Sequence, residues 1–317
     1  MNKVFFLAVN NGYYSKGIPT SKCIDFFRER SSNNLFCTIV GNIVIQGGFP
    51  SNSSNGIMSI NTKWNDLAKA ISDSGAVAGV QLSTTWPNYV GQNVFENIRW
   101  DSYEREIKGI VDNLNIEETF MNLGKSICQS IDNGFKHIQI HAAHGYLFST
   151  LLDPNIYQDY PIVVGNLIRA AQYINSRGCT SSIRISLYCG LPELRESQRN
   201  NVLGGLINKG FDYIDISEGY YNFDKSYIYP STDIQLNSRI ERSLEFSREN
   251  TSQDFIISGQ LNPTTEYPKN VYVGICRELI ANPTFLKNNV KICDDCGGCH
   301  YYSRGLPELS CPKWVSS

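Results

Sequence analysis

Short apolar runs alternate along this chain with longer stretches in which apolar residues recur every three or four positions, the period of a helix face. The runs predict strands over Val4–Val9, Phe36–Ile45, Val77–Ser83, His137–Ala142, Ser182–Tyr188, Tyr213–Gly219, Asp254–Gln260 and Val271–Cys276. The stretches between predict helices over Ser21–Arg30, Trp64–Ser74, Ile116–Asn133, Pro161–Arg177, Leu194–Lys209 and Ser238–Asn250, with a last one over Arg277–Asn289. Gly75, Gly134, Gly178 and Gly210 close several of them, as residues able to take the left-handed cap conformation.

Alternating strands and helices imply parallel strands joined by right-handed crossovers, and eight such units suggest a closed (β/α)8 barrel. Only NPTTEYPKN separates Gln260 from Val271, too short for a full helix, so the seventh crossover is expected to be degenerate. No domain linker appears. Residues 1–290 read as the barrel, and 291–317 as a short cysteine-rich segment.

Composition narrows the partners. Hydrophobic residues make up 41% and charged residues 18%, so a buried core is available and disorder is not indicated. The net charge of −2 comes from 28 basic and 30 acidic residues without a long run of either sign. That argues against nucleic acid or an anionic membrane as partner and favours small molecules. No stretch is apolar enough to span a membrane, and MNKVFFLAVNNGYY reaches Asn-Asn-Gly too soon for a secretory core, so a cytoplasmic location is expected. Of ten cysteines, four fall between Cys293 and Cys311 and the rest are scattered singly, which is unlike a secreted disulfide framework.

In such a barrel the C-terminal strand ends build the site. One of them, HAAHGY, holds two of the chain's four histidines, His141 and His144, and ends on Tyr146. On a continuing strand i and i+3 would diverge, but Ala-Ala and Gly145 permit a curl that brings both imidazoles and the phenol over one cavity. Two neutral imidazoles can hold an oxygen that gains negative charge while a phenol delivers a proton. A metal pair lacks a nearby carboxylate or third histidine, and the blander alternative is that the histidines satisfy buried backbone groups. Arg184, inside the apolar run SIRISLY, needs an anion, an electron-rich ring or an acidic neighbour. Gln81 offers a donor and an acceptor suited to a pyrimidine-type ring. ISGQ and GICRELIANP present backbone amides, with Arg277 for charge, where barrels commonly hold phosphate. Cys293, Cys296, Cys299 and Cys311 are spaced to bind an iron–sulfur cluster or a structural zinc.

These segments together resemble the Old Yellow Enzyme family of FMN-dependent oxidoreductases, in particular the branch of 2,4-dienoyl-CoA reductase and NADH:flavin oxidoreductases with a cysteine cluster after the barrel. The likeness runs through GIPTSKCIDFFRERS, GVQLS, GFKHIQIHAAHGYLFSTLLDP, IRIS, FDYIDISEG, ISG and RELIANP. It implies that His141 and His144 hold a substrate oxygen above FMN and that Tyr146 is the proton donor. Ala8 stands at the flavin N5 contact, Gln81 at the pyrimidine edge, and Arg184 at the N1/O2 region. Gly259, Cys276 and Arg277 would take the phosphate, and the four late cysteines would be [4Fe–4S] ligands.

The implied activity is an ene-reductase that passes hydride from reduced FMN to an activated alkene. The same residues suit a dehydrogenase or desaturase running oxidatively, and a non-catalytic flavin- or metal-binding barrel is a rival of another class. NAD(P)H at the same mouth, or a partner protein feeding the cysteine cluster, are the two implied electron sources. The chain departs from the family at Ala8-Val9-Asn10-Asn11, at Ser83-Thr84-Thr85-Trp86 after Gln81, in the short NIYQDYP loop, at Cys276 in place of glycine, and in the two-residue gap between Cys296 and Cys299. It is also expected to lack the flavodoxin-like and pyridine-nucleotide domains of the longest relatives.

Overall fold

The computed structural model describes residues 3–32, 34–91, 98–288 and 290–314. Its centre is eight parallel strands: β1 (Val4–Phe6), β2 (Cys37–Val44), β3 (Val77–Ser83), β4 (His137–Ala142), β5 (Thr180–Tyr188), β6 (Tyr213–Glu218), β7 (Asp254–Ser258) and β8 (Val271–Ile275). Neighbours in sequence are neighbours in the sheet, and β1 pairs with both β8 and β2, which closes the barrel. The eight-unit barrel expected from the sequence is therefore present.

Around it lie α1 (Ser21–Arg30), α2 (Thr62–Asp73), α3 (Trp100–Val111), α4 (Ile116–Asp132), α5 (Leu147–Leu151), α6 (Tyr160–Ser176), α7 (Glu193–Gly204), α8 (Asp233–Glu249), α9 (Arg277–Ala281) and α10 (Phe285–Asn288). Their starts are chemically marked: Thr20, Asn61, Asn115 and Thr232 each accept a backbone N–H from the first turn of α1, α2, α4 and α8. Gly134 and Gly178, just past α4 and α6, hold φ of +95° and +69°, the region a Cβ disfavours. Between β7 and β8 residues 259–270 form no helix, as the short NPTTEYPKN implies.

Two expectations need revision. The last helix is not continuous over Arg277–Asn289: it breaks between α9 and α10, where Pro283 disfavours helix at Asn282, and its expected end, Asn289, lies outside the described residues. Helix α3 was not expected. Trp100, Tyr103, Ile107 and Val111 carry its apolar stripe, but no side chain caps its start at Arg99, so the sequence offers no boundary signal.

Strand residues alternate between two cores. Outward-facing Ile138, Ile140, Ile183, Ile185, Ile214 and Ile216 are buried under the helices. Inside the barrel, Phe5, Leu7, Cys37, Ile39, Tyr213 and Ile256 form a separate apolar cluster. This interior plug fills the lower barrel and leaves polar side chains to line the end where the strands finish.

The C-terminal residues return to the barrel. Tyr13 Oη donates to the Leu309 carbonyl at 2.5 Å, Leu309 N to the Asn11 carbonyl at 2.9 Å, and Trp314 Nε1 to the Ile280 carbonyl at 2.7 Å. Tyr301 and Leu309 join the main core.

Candidate active site

After β4 the chain turns back within a few residues. His144 and Gly145 take φ of +61° and +74° in succession, and Tyr146 then caps the start of α5. A left-handed histidine is a strained arrangement and requires support. His144 N donates to Ser186 Oγ at 2.8 Å, and Tyr221 N donates to the His144 carbonyl at 3.0 Å. The curl brings the His141 ring to 5.1 Å from that of His144 and 4.9 Å, edge-on, from that of Tyr146.

Burial sets their charge. His141 is pulled down to about 3 by desolvation, with the Arg184 cation adding to it. His144 is held well below the usual imidazole range by burial, then by His141, Arg184 and Arg239. Both are neutral near pH 7. His144 Nε2 shares a proton with Ser217 Oγ at 2.7 Å, whereas His141 Nδ1 has no partner. Tyr146 is raised by burial and by Tyr221, so its phenol keeps its proton.

Tyrosines surround this corner. Tyr221 stacks on Tyr146, Tyr89 meets it edge-on at 5.7 Å, and Tyr221 Oη bonds Tyr229 Oη at 3.0 Å. Tyr229 in turn lies 4.5 Å from His300 of the C-terminal segment. Neither Tyr221 nor Tyr229 was singled out as a site residue, although ISEGYY at the end of β6 carries one of them.

Below the histidines a line of polar side chains crosses the barrel. Gln81 Nε2 donates to Gln139 Oε1 at 2.5 Å, and Gln139 Nε2 to Asp215 Oδ2 at 3.2 Å. Arg184 reaches the same carboxylate oxygen at 2.9 Å and Ser217 Oγ at 3.3 Å. Strand register places these groups side by side: Gln81 opposite Gln139, His141 opposite Arg184, and Arg184 opposite Asp215. Of the partners open to Arg184, the structure supplies the acidic neighbour. Gln139, Asp215 and Ser217 were missed, yet each lies two residues from an inward-facing position on its own strand.

Across the mouth, Ala8 is half-buried against the interior cluster and Gly259 takes φ of +128°. Helix α9 has only five residues, and the Cys276 N–H already points to Glu278 Oε2 at 3.4 Å. Burial raises the Cys276 thiol to about 12. Arg277 pairs with Asp295 at 2.8 Å.

The metal expectation is overturned. Among the described residues no group of three or more His, Cys, Asp or Glu side chains is placed to hold a metal ion. Cys293, Cys296, Cys299 and Cys311 line one recess, but Cys293 Sγ turns to Asp295 Oδ1 at 3.8 Å and Cys296 Sγ accepts from Gly298 N at 3.4 Å. Cys299 and Cys311 pack on the apolar core. Thiols directed to separate partners form neither an iron–sulfur nor a zinc site, and the electron route through such a cluster falls with them.

Arg184 Nε and Asp215 Oδ1 are buried polar atoms without partners. A donor and an acceptor of this kind are the chemistry that the carbonyl oxygens and ring N–H of an isoalloxazine edge would need.

Two solved structures align over 98% of this chain at 14% identity, each with a TM-score of 0.71. One is a 2-naphthoyl-CoA reductase in complex with 2-naphthoyl-CoA, the other the histamine dehydrogenase from Rhizobium sp. 4-9. The chain shares their fold. It spans about half their length, 54% and 50% respectively. No family model and no curated protein matches the sequence.

Proposed function

We propose that this barrel is an FMN-dependent oxidoreductase that reduces an alkene conjugated to a carbonyl. The observation that carries the reading is the convergence of two neutral imidazoles and one protonated phenol, His141, His144 and Tyr146, at the barrel mouth. Gln81, Arg184, Ala8, Gly259, Cys276 and Arg277 are the residues that would hold FMN, which when bound supplies hydride.

The chain's own part is polarisation and proton delivery. His141, in the tautomer that carries a proton on the unpartnered Nδ1, donates to the substrate carbonyl oxygen as negative charge develops there. His144 is held by Ser217 and its strained backbone, which fixes its ring before substrate arrives. Tyr146 delivers the proton to the carbon beside the carbonyl, because burial keeps its phenol protonated and unfit to serve as a base. Arg184, with Asp215 behind it, keeps one N–H free for the electron-rich side of the ring.

The test is to add FMN to the purified chain, reduce it anaerobically and follow its absorbance as conjugated enones are mixed in. Reoxidation matched by saturated product supports the reading. A chain that binds no FMN, or whose reduced flavin no alkene reoxidises, overturns it.

A further inference from the structure

His144 owes its place to two strand ends that are not its own. Its N–H donates to Ser186 Oγ on β5 at 2.8 Å, and its carbonyl accepts from Tyr221 N, just past β6, at 3.0 Å. Tyr220 lies across Gly145 so closely that a Cβ there would meet its ring at 3.2 Å. With φ of +61°, His144 has no preference of its own for this conformation, so whatever fixes Ser186 and Tyr220 fixes the corner.

The ladder between β5 and β6 is irregular at this height, its register shifting between Ser186 and Tyr188. One side chain spans the irregularity. Arg199, on α7, donates through Nε to Tyr220 Oη at 2.9 Å and through Nη2 to the Ser186 carbonyl. Ser186 Oγ in turn donates to the Gly219 carbonyl at 3.0 Å, which leaves its lone pairs for the His144 N–H. A single planar fork thus holds both the residue that receives His144 and the ring that packs on Gly145.

The fork is itself fixed. Arg199 is 1% exposed, and its remaining nitrogen lies 3.5 Å from Glu196 Oε1. The Glu196 carboxylate accepts the backbone N–H groups of Cys189 and Leu191, so it cannot follow the arginine elsewhere. A guanidinium that served only to dock α7 could bond any carbonyl of β5. This one bonds the two residues in direct contact with the His144–Gly145 backbone.

We infer that Arg199 is a positioning residue for the catalytic corner: by tying Ser186 to Tyr220 it holds His144, and with it Tyr146, in the orientation the reaction needs. It acts through those two residues and not on the substrate. The inference rests on the proposed reaction for its kinetic consequence and not for the positioning itself.

The test uses Tyr220→Phe, which keeps the ring on Gly145 and removes only the hydroxyl that receives Nε, beside Arg199→Lys and Arg199→Gln, all in the full chain. Amide hydrogen exchange, read without flavin, reports local opening. In Tyr220→Phe, exchange at the His144 and Tyr221 amides should rise about 10-fold more than exchange in β1 and β2, the size of one lost bond to a charged donor. Arg199→Gln should raise it further, and Arg199→Lys should recover part of the difference. With FMN bound, the rate of reoxidation at saturating enone should fall in parallel, while flavin reduction and the half-saturating enone concentration stay near wild type. A rise spread evenly over the barrel would make Arg199 an ordinary tether of α7 and overturns the inference, as does a local rise without change in the enone reaction. If wild type turns over no enone, the flavin reading falls and exchange alone decides the positioning role. Should Arg199→Gln not fold, Tyr220→Phe decides.

Discussion

The ring of Tyr221 is stacked on that of Tyr146, with centroids 5.6 Å apart and planes inclined by 27°. With His141 and Tyr89 edge-on to the same phenol, Tyr146 has aromatic rings on several sides and little freedom to rotate. An aromatic pair is worth about 0.5–1.5 kcal/mol beyond its buried area. Tyr221→Leu should therefore lower the thermal midpoint by a few degrees. Tyr221→Phe keeps the stack and loses only the bond to Tyr229, so it should melt much closer to wild type. Equal melting of Leu and Phe variants would show that the stack contributes nothing.

The second prediction concerns the proton. Tyr146→Phe preserves the ring contacts and removes only the acidic hydroxyl, so the fold should be unchanged. Under the proposed reaction, product formation should slow by about 10²–10⁴-fold while reduction of bound flavin keeps its rate. Stopped-flow absorbance separates the two half-reactions. Equal loss in both would remove Tyr146 from the proton-transfer step.

The barrel was legible because its signals are local: strands β3 and β4 begin and end at the residues the sequence predicts, and helix α1 does too. The corner at His141–Tyr146 was legible because histidine is rare in the chain and Gly145 announces a turn. What the sequence could not reveal is partnership across strands. Arg184 and Asp215 are separated by 31 residues and meet only because β5 and β6 pair in one register. The late cysteines mislead for the converse reason, since close spacing in sequence does not make sulfurs converge when Gly297 and Gly298 let the backbone turn between them.

The Arg184–Asp215 pair yields a third prediction. Asp215 is fully buried, and desolvation raises its carboxyl despite Arg184 and Gln139 pulling the other way. Asp215→Asn should cost about 3–5 kcal/mol in urea unfolding, because it strands the guanidinium. Replacing both, Arg184→Met with Asp215→Leu, should recover most of that loss. Strict additivity of the two single changes would mean the side chains are not energetically coupled.

The last prediction follows from the buried histidines. Burial holds His137 and His141 at about 3 in the folded chain, against roughly 6.5 when unfolded. Between those values the unfolded chain binds protons that the folded chain refuses. Their contribution is thus fully present above the unfolded value and is lost as pH falls toward the folded one. Asp153, Glu196 and Asp215, raised by burial, act with the opposite sign over part of this range, so the total acid limb is a mixture. His137 isolates one component. It bonds Ser182 Oγ at 2.7 Å low in the barrel, among Phe5 and Tyr213, and has no part in the proposed chemistry. His137→Gln should narrow the difference in unfolding free energy between neutral solution and about pH 5 by ~2 kcal/mol. An unchanged difference would show that the imidazole takes up its proton in the folded chain as readily as in the unfolded one.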